Sequence, residues 1–210
     1  MIAVVDYGAG NLHSVERALR HVGAEITVTH DPSEIADAAG VVLPGVGAAA
    51  DTMRGLERAG VIPAILDAID RGVPYLGICM GLQVLYEASD EDGGTTCLGV
   101  APGRVVRFPP SQHVPHMGWN QVHQQVESPL FAGIPQDANF YFVHSYFAPI
   151  DGDAHVAATT DYSVTFTSAL LRDNIFATQF HPEKSGAAGL RLYANFARSA
   201  GQHPPDDAGP

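Results

Sequence analysis

The chain has 210 residues, enough for one large domain or two small ones, and at this length roughly 70% of the surface exposed by the unfolded chain is buried on folding. Its 11 Lys and Arg against 23 Asp and Glu give a net charge of −12, a field that repels phosphate backbones and anionic lipid surfaces and so excludes nucleic acid and membrane as partners. With 46% hydrophobic and only 16% charged residues the chain is not a disordered one, and its 22 Gly and 15 Pro imply many tight turns.

The N-terminal run 2–6 is apolar and β-branched; Leu12, Val15, Leu19 and Val22 then recur at helical spacing until Gly23 supplies a C-terminal stop. Strands are predicted at 26–29 and 41–43, helices at 53–58 and 62–71, and a fully buried strand at 73–78. Strands alternating with helices make a parallel, doubly wound sheet. Beyond about residue 95 strand-like segments crowd together, at 105–108, 121–126, 140–147, 163–171 and 175–179, before a last helix at 190–197. The expected fold is therefore α/β, with a doubly wound, mostly parallel central sheet, helices on both faces and added antiparallel strands. Residues 1–199 read as one domain and 200–210, with three prolines and no apolar periodicity, as a disordered tail.

The two cysteines, Cys79 and Cys97, have no CxxC spacing, which implies neither a disulfide framework nor a zinc cluster and favours a reducing compartment. The N-terminal apolar run meets Asp6 without a basic flank, too short for a signal peptide, and no run approaches the ~18 apolar residues of a membrane span. A cytoplasmic protein is expected.

The sharpest chemical signal is Tyr75-Leu76-Gly77-Ile78-Cys79-Met80-Gly81-Leu82-Gln83, a buried strand entering a Gly-x-Cys-x-Gly turn and then a helix. It is the cysteine form of a nucleophile elbow: flanking glycines allow a strained turn that lifts one side chain off the strand's carboxyl end. A helix N-terminus there favours a negatively charged sulfur and aims the Met80 N–H at an oxyanion. A small, inert, buried cysteine fits the same residues. Downstream, His181-Pro182-Glu183 offers a base with a carboxylate placed to hold its far ring nitrogen, so that Cys79, His181 and Glu183 form a candidate triad; His-Pro-Glu is also an ordinary turn. Leu43-Pro44-Gly45-Val46-Gly47 follows a strand with a backbone suited to an oxyanion, or to a plain strand-to-helix connection. Gln83, four residues after Cys79, shares its helix face. His113, His116 and His123 match a metal site poorly, and Gly8-Ala9-Gly10 lacks the third glycine of a dinucleotide fingerprint because position 13 is His; neither a metal nor a cofactor is expected.

Gly-Ile-Cys-Met-Gly-Leu-Gln with the distal His-Pro-Glu resembles the class I, or triad, glutamine amidotransferases. The segments Asp6 to Leu12, Pro44 to Gly47, Pro115-His116-Met117-Gly118-Trp119-Asn120 and Tyr141-Phe142-Val143-His144-Ser145-Tyr146, with Lys184 and Ser185, are similar to the branch that supplies the glutaminase subunits of imidazole glycerol phosphate synthases. This resemblance implies that Cys79 attacks the carboxamide of glutamine, that His181 protonates departing ammonia and activates the water that cleaves the thioester, and that Glu183 orients the imidazole. It implies an oxyanion hole from the Met80 N–H and the Val46–Gly47 peptide, and substrate contacts from Gln83, Glu91, Ser145 and Tyr146. It also implies a partner, a (β/α)8-barrel cyclase that uses the ammonia to convert a phosphoribosylated aminoimidazole carboxamide, PRFAR, into imidazole glycerol phosphate and AICAR. Ammonia loose in water becomes ammonium, which is no nucleophile, so docking is required. His116, Met117, Trp119, Asn120, Tyr141 and Lys184 are the expected interface, the only tryptophan and the only lysine of the chain among them. A Cys-His hydrolase of related fold, needing no ammonia acceptor, and a non-catalytic module are the alternatives.

Overall fold

The computed structural model describes residues 1–8, 11–111, 113–150 and 155–205. In its first half, β1 (Ile2–Val5), α1 (Leu12–His21), β2 (Ile26–Thr29), α2 (Pro32–Ala36), β3 (Gly40–Leu43), α3 (Ala49–Ala59), α4 (Ile62–Asp70), β4 (Tyr75–Ile78) and the single turn α5 (Met80–Gln83) succeed one another. β1, β3 and β4 are buried at every position, because each is a short apolar run covered on both faces, whereas β2 is partly open as befits a sheet edge. Alternation along each strand sends side chains to two cores: Ile2, Val4 and Val42 pack with α1, while Ala3, Val5, Val41 and Leu43 pack with Ile35 of α2 and with α3 and α4. The brief α2 went unpredicted, although Asp31 accepts a capping bond from Ser33 N at 2.8 Å and Pro32 opens the first turn.

The second half comprises β5 (Ala88–Ser89), β6 (Thr95–Thr96), β7 (Arg104–Arg107), β8 (His116–Gln121), β9 (His123–Gln124), β10 (Asn139–His144), β11 (Tyr146–Pro149), β12 (Val156–Tyr162), β13 (Val164–Arg172), β14 (Ile175–Thr178) and α6 (Gly186–Ser199). The main sheet runs β2-β1-β3-β4-β14-β13-β11-β7-β5-β6, parallel from β2 through β14 and mostly antiparallel beyond, with β12 and β9 added beside β13. β8 and β10 form a separate antiparallel ribbon. The expected fold class stands; several boundaries move. The strand expected over 121–126 is divided between β8 and β9 around buried Val122, and that over 140–147 breaks at Ser145, where the chain leaves the ribbon for the main sheet. The strand read from 163 begins after a turn at Ser163, which takes a φ of 61° and joins β13 to the unpredicted β12. The last helix is longer than 190–197, its first turn being hidden by Gly186 and Gly189.

The expected disordered tail departs from the structure at its start. Glu25 N donates to Gln202 Oε1 and Gln202 Nε2 to Glu25 O, both at 2.9 Å, and Pro204 is buried, so residues 200–205 close over the α1–β2 corner. Residues 206–210 lie outside the described residues.

Candidate active site

β3, β4 and β14 are neighbours in the parallel sheet, and the chain leaving their carboxyl ends supplies Val46 and Gly47, Cys79, and His181 respectively. Open parallel sheets carry their sites at this edge. Cys79 has φ 53° and ψ −100°, a conformation that costs a side-chain-bearing residue about 1–3 kcal/mol and is held here by packing. A Cβ on Gly77 would lie 2.4 Å from Gly81 O, and one on Gly81 would lie 2.0 Å from Leu43 O, so α5 can sit against β3 and β4 only because both residues are glycine. Cys79 N donates to Thr178 O at 2.7 Å, Tyr75 OH to Gly81 O at 3.2 Å, and Gln83 N to Cys79 O at 3.1 Å, pinning the elbow from three sides. The thiol side chain is buried, and Gln179 Nε2 donates to its sulfur at 3.5 Å.

The His181 ring is fully buried, with Nδ1 2.8 Å from Glu183 Oε1 and Nε2 left without a hydrogen-bond partner. Because a carboxylate only accepts, Nδ1 carries the proton and a neutral ring presents Nε2 as the base. Burial opposes a proton on this ring, yet the facing Cys79 side chain and the carboxylate of Glu183 outweigh it and raise the imidazole above its ordinary value. Burial pushes Glu183 up, but its bond from His181, the nearby imidazolium charge and a bond from Asn11 Nδ2 hold it below the usual carboxylate range. Tyr193 OH donates to the other carboxylate oxygen at 3.3 Å. Ser185 Oγ donates to His181 O at 2.6 Å, and His181 N donates to Tyr141 O at 2.9 Å. Asn11, Gln179, Ser185 and Tyr193 thus support the triad without having been predicted as site residues. The sole sequence signal for them was proximity to a motif, Asn11 closing the Asp-Tyr-Gly-x-Gly-Asn loop and Gln179 preceding Phe180-His181.

A cavity of about 160 Å³ is lined by Cys79, His181, Val46, Gly47, Met80, Gln83, Glu91, Val143, His144, Ser145 and Tyr146, which brings together every residue predicted for the oxyanion and the substrate. This is below the ~300–1,000 Å³ of drug-sized pockets and fits a small ligand. Gly47 has φ 94°, and Gly45 packs against the Met80 side chain and the Tyr7 hydroxyl, leaving the 46–47 peptide at the cavity wall. Gln83 Nε2 is spent on Tyr146 O and Gln179 Oε1, each at 3.0 Å, and its buried Oε1 has no partner, an acceptor free for a ligand's donor. Glu91 accepts from Ala49 N at 2.8 Å and so caps α3, whose own N-cap, Ala48, offers no side chain for it; burial, more than nearby Asp92 and Asp51, raises its carboxyl.

The expected interface residues divide by strand face. Met117 and Trp119 point outward from β8, 62% and 58% exposed, and the Trp119 ring meets Tyr141 edge-on at 6.2 Å. Lys184 Nζ lies 5.6 Å from the Tyr141 ring centre, so one cation tops this aromatic patch. His116 corrects the expectation: it is 4% exposed, stacked on Phe142 and Tyr162, because alternate β8 residues face inward. Asn120 is half-buried and donates to Asp161 O at 3.0 Å. Val143, directly across from Met117 on the same outer face, also lines the cavity, so the patch begins at the cavity mouth. Of the histidines weighed as metal ligands, His116 is interior and His123 pairs with Asp137 at 2.6 Å; among the described residues no group of three or more His, Cys, Asp or Glu is placed to hold a metal. No helix of the described residues is long and apolar enough to cross a membrane.

A known family's model, "Glutamine amidotransferase class-I", matches residues 3–200. The chain belongs to the class I glutamine amidotransferases. Among its relatives, proteins named "Imidazole glycerol phosphate synthase subunit HisH" from Dehalococcoides mccartyi and Herpetosiphon aurantiacus are 53% and 52% identical, over 95% of this chain and 98% and 95% of theirs. The fold is also that of a structure titled "Crystal structure of glutamine amidotransferase", TM-score 0.76 at 18% identity over 96% of this chain and 100% of that one, and of PurLQS from Thermotoga maritima, TM-score 0.74 at 19% identity over 94% and 97%.

Proposed function

We propose that this chain is the glutaminase subunit of an imidazole glycerol phosphate synthase, hydrolysing glutamine to glutamate and passing the ammonia to a (β/α)8-barrel cyclase that acts on PRFAR. The observation that carries the reading is a single small cavity in which the strained Cys79 thiol, the unpartnered Nε2 of His181 and the 46–47 peptide meet. His181 Nε2, its proton affinity raised, takes the thiol proton, and Cys79 Sγ then adds to the side-chain carbonyl carbon of glutamine. The resulting oxyanion is held by the N–H of Met80 and one N–H of the Val46–Gly47 peptide, donors of a kind worth roughly 3–4 kcal/mol each in acyl transfer. The C–N bond breaks as His181 returns the proton to the nitrogen, releasing ammonia and leaving a glutamyl thioester. His181 then takes a proton from water, hydroxide adds to the thioester, and glutamate leaves as the sulfur is reprotonated. Glu183 holds the ring in one tautomer and stabilises its cationic form throughout. Gln83 Oε1 and Glu91 suit the α-amino group of glutamine, and Ser145 and Tyr146 its carboxylate.

Docking follows from chemistry as much as from relatives: ammonia escaping to water is protonated and lost. The patch of Met117, Trp119, Tyr141 and Lys184 adjoins the cavity mouth at Val143, and exposed Trp and Tyr are the usual anchors of an interface. The test is Cys79→Ala assayed with a matching cyclase and PRFAR. Glutamine-driven product formation is abolished, and turnover from ammonium salts persists. Survival of glutamine-driven turnover removes Cys79 as nucleophile, and equal activity with no need of a cyclase turns the protein into a free-standing hydrolase.

A further inference from the structure

Inside the β8–β10 ribbon two buried histidines stand opposite each other, His116 on β8 and His144 at the end of β10. Their hydrogen bonds fix one direction throughout. Tyr146 O can only accept, so His144 Nδ1, 2.8 Å away, donates to it and His144 Nε2 is left as an acceptor. His116 Nδ1, 3.0 Å from that nitrogen, must then donate, which leaves His116 Nε2 to accept from Asn120 Nδ2 at 3.2 Å. The same Tyr146 carbonyl accepts from Gln83 Nε2, whose other bond goes to Gln179 Oε1, and Gln179 Nε2 donates to the Cys79 sulfur. A continuous chain of hydrogen bonds therefore starts beside Trp119 on the outer strand and ends on the sulfur.

We propose that His116 and His144 are positioning residues, a hydrogen-bonded relay that meets Gln83 at the shared Tyr146 carbonyl, links the exposed β8 face to Gln83 and Cys79, and carries the effect of docking into the cavity. This rests on reading the chain as a docked glutaminase. The location supports a transmitting role: β8 pairs only with β10 among the described strands, so the ribbon is a sheet of its own, and the His144 to Tyr146 bond spans the break at Ser145 where ribbon meets main sheet. Both rings are dry enough for burial to push them down, to about 4 for His116 and about 3 for His144, so each stays neutral and keeps one donor and one acceptor. Packing alone needs no such arrangement. Phe108, Phe142, Tyr162 and Phe166 surround His116, and a phenyl ring would stack among them equally well.

The experiment measures glutamate release by the chain alone and in complex with its cyclase and PRFAR, with cyclase affinity by titration calorimetry. His116→Phe keeps the stacked ring and removes both nitrogens. His144→Asn keeps a donor for Tyr146 O and loses the reach to His116, and it carries the test if the first variant does not fold. In both, the ratio of stimulated to basal rate falls about tenfold; in His116→Phe, whose ring does not line the cavity, the basal rate and the dissociation constant stay within about threefold. A merely structural role lowers the melting temperature and both rates together with the ratio intact, which overturns the proposal, as does a wild-type ratio in either variant. If the wild-type chain is not stimulated at all, the docked-glutaminase reading fails and takes the relay with it; stimulation of wild type and variants alike overturns the relay only.

Discussion

Replacing Glu183 by Gln changes one oxygen to an NH2 at constant shape, which separates the charge of the triad carboxylate from its geometry. The side chain is fully buried and accepts from His181 Nδ1 at 2.8 Å, from Asn11 Nδ2 and from Tyr193 OH at 3.3 Å. With the glutamine oxygen in the place of Oε1, His181 and Asn11 keep their acceptor and the amide donates to a Tyr193 hydroxyl that turns to receive it. The Tyr193 O–H loses its acceptor in this arrangement, a buried donor left unpaired, so the loss of hydrogen bonding is about 1–3 kcal/mol. The charge is the larger effect. Two unit charges about 4 Å apart at an effective dielectric near 20 attract by about 4 kcal/mol, of which the amide dipole restores a part. The imidazolium that accompanies attack is destabilised by the remainder, and kcat for glutamine hydrolysis in the complex falls about 10²–10³-fold with little change in KM. Stability follows the same pair. His181 binds its proton more tightly folded than unfolded, a contribution fully present below its ordinary 6.5 and lost as pH rises through the raised folded value. Glu183 is depressed, so its contribution is present above its ordinary 4.5 and lost as pH falls through the lowered folded value. Thermal melts of Glu183→Gln should therefore differ most from wild type between pH 4.5 and 6.5, the difference shrinking as pH falls below 4.5 and as it rises toward the folded His181 value of about 10. A kcat within about threefold of wild type, or a melting difference independent of pH, refutes the role given to this carboxylate.

Gly81→Ala places a methyl carbon 2.0 Å from Leu43 O, forcing α5 off β3; stability drops by about 2–3 kcal/mol and glutaminase activity disappears, and an active variant with an unshifted melting curve contradicts the close-packed elbow. Trp119→Ala leaves the melting temperature alone, since the ring is 58% exposed, and weakens binding to the cyclase by more than about 1 kcal/mol in a calorimetric titration; an unchanged dissociation constant puts the interface elsewhere. Glu91→Gln keeps an oxygen for Ala49 N but loses the charge opposite an α-amino group, so KM for glutamine rises about tenfold at nearly constant kcat, and a constant KM would reduce Glu91 to a helix cap.

The parallel half of the sheet was legible because each strand is a short β-rich run whose identity is local: Ile2–Val5 and Tyr75–Ile78 are wholly buried, Ile26–Thr29 is a β-branched edge run, and none needs knowledge of its neighbours. The antiparallel half was less so. β12 reads Val-Ala-Ala-Thr-Thr-Asp-Tyr and is a strand because β13 and β9 flank it, which its own pattern does not announce. The same division holds in the site. Cys79, His181 and the cavity wall sit in contiguous motifs whose chemistry can be read residue by residue. Asn11 reaches Glu183 across 172 positions, Gln179 reaches Gln83 across 96, and no spacing rule connects either pair; the sheet order does.

The segment Pro115 to Asn120 shows how a correct motif can still be apportioned wrongly. Read as one interface, it joins His116, Met117, Trp119 and Asn120, yet a strand turns successive side chains to opposite faces, so a contiguous motif on β8 cannot all meet one partner. Register decides the rest. Trp119 faces Tyr141 and Met117 faces Val143 on the outside, while His116 faces His144 within. Any partner gripping Trp119 and Tyr141 therefore pulls on a ribbon whose inner side is bonded to Tyr146 O and whose β10 backbone receives His181 N, which is the path by which the proposed docking would reach the proposed catalytic groups.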